Sequence, residues 1–141
     1  MRVCRIHVLA AVLTTALASH AIAQSAALVC SPPQHPGKLA ELMFGRDIGG
    51  RVAVSESAWR RFVAREITPR FPDGLTITSA TGQWRDGLSG AIVREPSKLV
   101  LIVLPGRADD QARLDAVVNA YKRQFRQQAV GVIEQPACIS F

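Results

Sequence analysis

Residues 99–106 read Leu-Val-Leu-Ile-Val-Leu-Pro-Gly, a run of six apolar residues that ends in a turn signal. A short apolar run of this kind, closed by Pro105 and Gly106, is typical of a β-strand that is buried on both faces. The run therefore predicts a strand at 99–104 in the middle of a sheet.

The sequence on either side of this strand alternates between strand and helix patterns. Ser55 is a good N-cap, and apolar residues at helical spacing follow it. Pro136 interrupts the last strand, which favours a position at a sheet edge. The predicted strands are 38–44, 75–84, 99–104 and 129–141, and the predicted helices are 56–67 and a segment that begins at Asp109 and Asp110. The order β-α-β-β-α-β predicts an α+β, ferredoxin-like fold, in which two helices pack on one face of a four-stranded antiparallel sheet.

The first 23 residues are typical of a secretory signal peptide. Arg2 and Arg5 precede an apolar stretch that is too short to span a bilayer, and Ala21-Ile22-Ala23 is an A-x-A cleavage site. We expect a periplasmic or secreted protein without stable membrane insertion after cleavage. The predicted organisation is a signal peptide at 1–23, a Pro-rich lead-in at 24–37 and a single ferredoxin-like domain at 38–141.

The composition excludes several classes of protein. The chain has 141 residues, of which 48% are hydrophobic and 20% charged, so it is neither a polar disordered chain nor a collagen or coiled coil. It carries 17 basic and 11 acidic residues, but the basic residues are spread along the chain without interleaved aromatic residues. This pattern favours a solvated basic surface and gives no support to a nucleic-acid partner.

Cysteine and histidine usage argues for a disulfide and against a metal site. The chain has three cysteines, and signal cleavage would remove Cys4 and leave Cys30 and Cys138. An even pair in an exported chain predicts a disulfide, and the predicted topology returns the last strand to the first, which brings Cys138 toward Cys30. Because His35 is the only histidine of the mature chain and no C-x-x-C occurs, we expect no metal and no cofactor.

The second face of the predicted sheet is expected to be buried against another molecule or other side chains. Two helices cover one face only, yet residues 99–104 are apolar at every position. We favour a homodimer in which two such sheets pack face to face. The alternatives are a bound apolar ligand and shielding by long side chains from the edge strands.

Six stretches give the chain a family resemblance. They are Phe44-Gly45, Val54-Ser55 to Trp59, Thr68-Pro69-Arg70-Phe71-Pro72-Asp73-Gly74-Leu75-Thr76, Gly82-Gln83-Trp84-Arg85, Glu95-Pro96-Ser97-Lys98 and the terminal Cys138-Ile139-Ser140-Phe141. With these stretches the chain resembles domain of unknown function family 3574, a family of exported bacterial proteins, over nearly all of the mature region. The resemblance implies an exported bacterial domain and brings neither a reaction nor a ligand with it.

The polar residues of these stretches form a candidate ligand site. A hairpin would bring the end of one strand beside the start of the next, and a pocket of arginine, glutamine, glutamate and tryptophan could hold a small anionic or polar ligand. The same residues also have a structural explanation without a ligand. Some would form turns, Trp84 would belong to the core, and Glu95 would form an ion pair across the hairpin. The candidate ligand-binding residues are Arg70, Gln83, Trp84, Arg85, Glu95 and Ser97.

Catalytic groups are scarce in the mature sequence. His35 lies in the Pro-rich lead-in, no cysteine stays free after pairing, and no G-x-S-x-G motif occurs, so we assign no catalytic residue. The favoured function is a non-enzymatic module that is homodimeric or binds a partner or ligand. The alternative is a cofactor-free small-molecule enzyme, isomerase-like or monooxygenase-like, with Glu95 as general base and Arg70 or Arg85 stabilising an anionic intermediate.

Overall fold

A computed structural model describes residues 28–48 and 51–141. The predicted signal peptide lies outside the described residues. The elements, in chain order, are β1 (His35–Gly45), β2 (Asp47–Ile48), β3 (Arg51–Val52), α1 (Glu56–Phe62), β4 (Leu75–Arg85), β5 (Ile92–Leu104), α2 (Asp110–Phe125) and β6 (Gly131–Ile139). A π-helical turn, Val63–Ile67, continues α1. None of the helices in the described residues is long and apolar enough to cross a membrane.

The four long strands form one antiparallel sheet in the order β4-β5-β1-β6. The run 99–104 forms the second half of β5, between β1 and β4, as its apolar character predicts. Strand β6, which contains Pro136, lies at an edge beside β1. The structure thus confirms the α+β class, the four-stranded antiparallel sheet and the two helices.

The predicted element order β-α-β-β-α-β is not reproduced as such. Strands β2 and β3 form a small separate hairpin between β1 and α1, where the sequence predicted neither a strand nor a helix. The backbone carbonyl of Arg46 accepts the N–H groups of both Ala53 and Val54 and so closes this hairpin against the end of β1. Two-residue strands carry no periodic pattern, which is why the sequence did not indicate them.

The hydrophobic core lies between one face of the sheet and the two helices. Alternate residues of β1 and β5 point into it, and the Phe44 ring lies 5.2 Å from the Trp59 ring of α1 and 4.7 Å from the Tyr121 ring of α2. Both helices therefore pack on the same face. The sheet and helix residues fully buried there include Ala40, Leu42, Phe44, Val100, Ile102, Leu104, Phe62, Leu114, Val117 and Tyr121.

The opposite face of the sheet carries a second set of apolar side chains, and neither helix of the described residues packs on it. These residues alternate with the core residues along their strands, and the register places Leu39 beside Val103 and Met43 beside Leu99. Met43 is 38% exposed, and Ile133 on β6 is 49% exposed. We call this surface the open face; its apolar residues are Leu39, Met43, Leu99, Leu101, Val103 and Ile133.

The hairpin of β4 and β5 extends past the end of β1. Pairing between β1 and β5 ends at Gly45 and Ser97, whereas β4 and β5 stay paired to their joining turn. Residues 83–94 therefore project from the sheet, and we call them the arm. Asp86 closes the tip of the arm, because its Oδ1 accepts the backbone N–H groups of Leu88 and Ser89.

The predicted disulfide between Cys30 and Cys138 is present. Pro36 pairs with Cys138 in the sheet, so the segment before β1 lies against the end of β6. The bridge thus joins the two ends of the described chain at the edge of the sheet, as the return of the last strand to the first predicted.

Candidate functional site

The six candidate residues do not form one pocket. Trp84, Glu95 and Ser97 lie on the open-face side of the arm and its base, whereas Gln83 and Arg85 point to the other side. The register fixes this division, because directly paired residues share a face, and the pairs are Gly82 with Glu95 and Gln83 with Arg94. Arg85 donates instead to the carbonyl of Gly90 within the arm.

Arg70 lies at the opposite end of β4 from the arm. Its Nη1 donates to the backbone carbonyl of Glu66 and pairs with Oε2 of the same residue at 2.9 Å. At about 3.3 Å per residue, the length of β4 separates it from Trp84 by roughly 30 Å. The expectation that Arg70 joins the hairpin residues is therefore wrong, and a pocket that contains all six side chains is not formed.

Two cavities of the described residues lie away from the arm. One, of about 360 Å³, lies between the start of β1 and the start of α2, next to Lys38, Arg107 and Glu134. Another, of about 250 Å³, lies beside the end of β6 and touches Phe141. Lys38 pairs with Leu104, at the far end of β5 from the arm, so neither cavity serves the predicted ligand site.

Two of the candidate residues do meet at the base of the arm. Glu95 Oε1 accepts the indole N–H of Trp84 at 3.0 Å, and its Oε2 accepts the backbone N–H of Asp47 at 3.0 Å. Gly45 makes room for this carboxylate, because a Cβ atom at Gly45 would lie 2.6 Å from Glu95 Oε1. Glu95 thus joins the arm to β2, just past the end of β1, through neutral donors. It forms no ion pair with an arginine of the described residues.

A second polar group, which we call the basic cluster, lies on the helix side of the same strand ends. It consists of Arg46, Lys98 and Glu56. Arg46 Nη1 lies 2.5 Å and Lys98 Nζ 3.0 Å from the same oxygen, Glu56 Oε1. Both cations are buried, with Arg46 8% and Lys98 6% exposed, whereas the Glu56 side chain is 52% exposed.

Neighbouring groups hold the two cations in place. Arg46 Nε donates to the carbonyl of Val54 at 2.8 Å, and Lys98 Nζ donates to Ser79 Oγ at 2.8 Å. The Lys98 hydrogen bond is the main influence that lowers the pKa of Glu56 below its ordinary value; the charge of Arg46 acts in the same direction, and desolvation opposes both. Glu56 is therefore ionised at neutral pH.

Tyr121, on α2, is hydrogen-bonded to the backbone at the end of β1. Its hydroxyl donates to the carbonyl of Gly45 at 2.8 Å. Burial is the main cause that raises the pKa of Tyr121 above its ordinary value, so the phenol stays protonated. It acts as a hydrogen-bond donor to the backbone and not as a base.

The chemistry available at the basic cluster is the binding of oxyanions. Ammonium and guanidinium groups that converge on one carboxylate oxygen make charge-assisted hydrogen bonds of the kind that bind carboxylates and phosphates. Within the described ranges, no three His, Cys, Asp or Glu side chains are grouped closely enough to hold a metal ion.

Sequence reasoning missed the basic cluster as a unit. Arg46 lies between the predicted strand 38–44 and the predicted helix 56–67, Glu56 begins that helix, and Lys98 precedes the predicted strand 99–104. None of the three was a candidate site residue. The signal that could have found it is the set of family-like stretches, because two of them contain Glu56 and Lys98 and a third ends at Gly45, next to Arg46.

Several solved structures are similar to this chain at low sequence identity. A phage SAM lyase in complex with S-methyl-5'-thioadenosine superposes with a TM-score of 0.59 and 18% identity, over 74% of this chain and 90% of the lyase. CutA from Synechococcus elongatus gives 0.48 and 14%, over 73% and 78% of the two chains. CutA1 from Oryza sativa gives 0.47 and 15%, over 74% and 82%. At 18% identity the likeness to the lyase shows the fold alone.

The sequence comparisons give a family and no activity. No curated protein matches the chain. The model of a family described as protein of unknown function, DUF3574, matches residues 39–141, which covers every element from β1 onward apart from the first residues of that strand. The chain belongs to the DUF3574 family.

Proposed function

We propose that the protein is an exported, non-enzymatic module that assembles with a second copy of itself through the open face of its sheet. The observation that carries this proposal is the open face, where Leu39, Leu99, Leu101 and Val103 alternate with core residues and no helix of the described residues covers them. Glu41 lies on the same face, beside Leu101 and Ile133, so the apolar side chains surround one carboxylate. An apolar surface of this kind is typical of an interaction site.

The size of the open face supports a second copy as the occupant. With strands about 4.8 Å apart and about 3.3 Å per residue, a region four strands wide and about seven residues long covers roughly 450 Å². Two copies would bury roughly 900 Å² in this way, while stable specific dimers bury about 1,200–2,000 Å². The open face therefore supplies most of the area that a dimer needs, and an adjoining surface must supply the rest.

The arm is the adjoining surface in this proposal. Trp84 lies on its open-face side and is 43% exposed, and Leu88 at its tip is fully exposed. The arm thus continues the open face beyond the end of β1. The apolar side chains of the arm are removed from water when they pack against the second copy, which stabilises the dimer.

Three observations support export and the finer fold assignment. The A-x-A site at 21–23 and the bridge between Cys30 and Cys138 fit an oxidising compartment, and so a bacterial periplasm or the exterior. If the hairpin of β2 and β3 is an insertion, the remaining elements follow the ferredoxin-like order. The position of β6 beside β1 supports that assignment.

The experiment compares two neighbouring lysine substitutions in the mature chain that starts at Gln24. Ile133 is 49% exposed on the open face, and Val132 is 39% exposed on the other side of the same strand, opposite Leu42. We expect a dimer for the unsubstituted chain and for Val132→Lys, and a folded monomer for Ile133→Lys, by light scattering after size exclusion. A monomeric unsubstituted chain, or a dimeric Ile133→Lys variant, would overturn the proposal.

Export is tested separately by the N-terminus of the protein. The full-length chain is expressed in a bacterium and recovered from the periplasm or medium. Its mass should be that of a chain that begins at Gln24 and lacks the first 23 residues. Retention of residues 1–23 in the recovered protein would contradict the proposed export route.

A further inference from the structure

The basic cluster contains more positive than negative charge. Arg46 and Lys98 are both buried, and Glu56 is the carboxylate that pairs with them among the described residues. Glu95, on the other side of the sheet, is held by Trp84 and the Asp47 backbone and pairs with neither cation. Buried cations are normally matched by counter-ions, so this cluster can accept further negative charge.

The two cations also have hydrogen-bonding capacity left. Lys98 uses one N–H for Ser79 and one for Glu56, out of three. Arg46 uses its Nε for Val54 and one Nη1 hydrogen for Glu56, out of five. One N–H of Lys98 and three of Arg46 therefore have no partner within the described part of the chain.

We propose that Arg46 and Lys98 form a binding site for the carboxylate or phosphate group of a small molecule, and that Glu56 occupies this site in the free protein. Glu56 Oε1 stands where a ligand oxygen would bind, 2.5 Å from Arg46 and 3.0 Å from Lys98. This geometry is that of an oxyanion held by two cationic donors.

The Glu56 side chain is free to move out of the site, whereas Arg46 and Lys98 are held in it by other contacts. The Glu56 side chain is half exposed, belongs to the first residue of α1, and can rotate into solvent. The hydrogen bonds of Arg46 to the Val54 carbonyl and of Lys98 to Ser79 do not involve Glu56, so the cationic donors keep their positions when it moves. The tethered carboxylate thus competes with an incoming anion and sets a threshold concentration for binding.

The proposed site is independent of the proposed dimer. Lys98 and Glu56 lie on the helix side of the sheet, and the dimer would use the open face. Loss of dimerisation in the Ile133→Lys variant therefore leaves the oxyanion site intact, and each proposal can fail without the other.

The test removes the competitor and measures binding of simple anions. Inorganic phosphate and acetate are titrated into the mature protein and its Glu56→Ala variant by calorimetry. We expect Glu56→Ala to bind one of them at least about tenfold more tightly than the unsubstituted protein, since a tethered competitor lowers the apparent affinity. Glu66→Ala is the matched control, because it removes a carboxylate that follows on the same helical segment and pairs with Arg70 instead; its affinity should be unchanged.

Substitution of the cation completes the test. Lys98→Met, introduced into Glu56→Ala, should abolish binding, and Lys98→Arg should retain it, which separates loss of the charge from loss of the fold. Tighter binding of phosphate than of acetate would indicate a phosphorylated ligand. Equal or tighter binding of acetate would indicate a ligand with a carboxylate. Absence of saturable binding to Glu56→Ala up to about 10 mM, equal binding by Glu56→Ala and Glu66→Ala, or binding that survives Lys98→Met would overturn the proposal.

Discussion

Gly45 is a position where a single methyl group would disturb the base of the arm. A Cβ atom there would lie 2.6 Å from Glu95 Oε1, the oxygen that accepts the Trp84 indole N–H. We expect Gly45→Ala to displace the carboxylate, break its hydrogen bonds to Trp84 and Asp47, and lower the free energy of unfolding by about 1–3 kcal/mol. Urea unfolding followed by tryptophan fluorescence measures this loss.

Gly82 provides the matched control for this substitution. It lies on the same side of the sheet in β4, and a Cβ atom there would lie 3.8 Å from Ser97 Oγ, which is an ordinary contact. Gly82→Ala should leave stability unchanged or raise it by up to about 1 kcal/mol, because alanine restricts the unfolded chain. An equal loss of stability in both variants would show that the close approach of Gly45 to Glu95 has no special importance.

Glu56 gives the protein a pH dependence of known sign. Its pKa in the folded protein lies below the ordinary value of 4.5, chiefly because of the Lys98 hydrogen bond. The ionised carboxylate therefore stabilises the fold above the unfolded pKa, and this contribution is lost as the pH falls through the lower folded pKa. Thermal unfolding should show Glu56→Gln to be less stable than the unsubstituted protein at neutral pH, and the difference should shrink as the pH falls through the lowered folded pKa. A difference that is constant with pH would contradict this assignment.

At the residue level, the sequence predicted part of the site and could not predict how its residues divide between the two faces. The predicted hairpin placed Trp84 near Glu95, and in the structure the two side chains are hydrogen-bonded. A register shift of one residue moves every side chain to the opposite face, so the sequence could not tell that Gln83 and Arg85 point away from Glu95. Lys98 meets Arg46 and Glu56 only because β5, far away in the sequence, lies beside the end of β1 in the fold.

At the level of elements, the start of α1 depends on its N-cap. Ser55 Oγ accepts the backbone N–H of Ala58 at 3.2 Å. Because the helix that follows is short, we expect Ser55→Ala to lower the free energy of unfolding by about 1 kcal/mol in chemical denaturation. Ser55→Asp keeps an acceptor at the same position and should stay close to the unsubstituted protein. If both variants lose equal stability, the side-chain cap is not what stabilises the start of the helix.

The strands and helices were predictable where burial imposes a pattern. The second half of β5 lies between two strands and under both helices, so its residues are apolar and were predicted at 99–104. The first half extends into the arm, where only β4 is a neighbour and polar residues such as Arg94 are tolerated, so no hydrophobic pattern marks it. The helix predicted over 56–67 corresponds to α1 and the π-helical turn together.

At the level of the whole molecule, the two faces of the sheet have separate tasks in our proposals. The helix face holds the core and, at its end, the buried cations Arg46 and Lys98. The open face carries apolar side chains without buried charge of this kind. Binding of an oxyanion and binding of a second copy can therefore occur together, because neither requires the surface that the other uses.

The bridge between Cys30 and Cys138 stabilises the molecule as a whole, since it closes a loop of 108 residues. A cross-link of this length removes much conformational entropy from the unfolded chain, and on the chain-entropy model it contributes about 4–5 kcal/mol. We expect the double variant Cys30→Ser/Cys138→Ser to lose up to that amount in guanidinium unfolding, and the reduced unsubstituted protein to match it. Because the double variant has no thiol in the mature chain, mispaired cysteines cannot account for its loss. A loss below about 1 kcal/mol would show that unfolded chains of this sequence stay compact without the bridge, so that the cross-link constrains little.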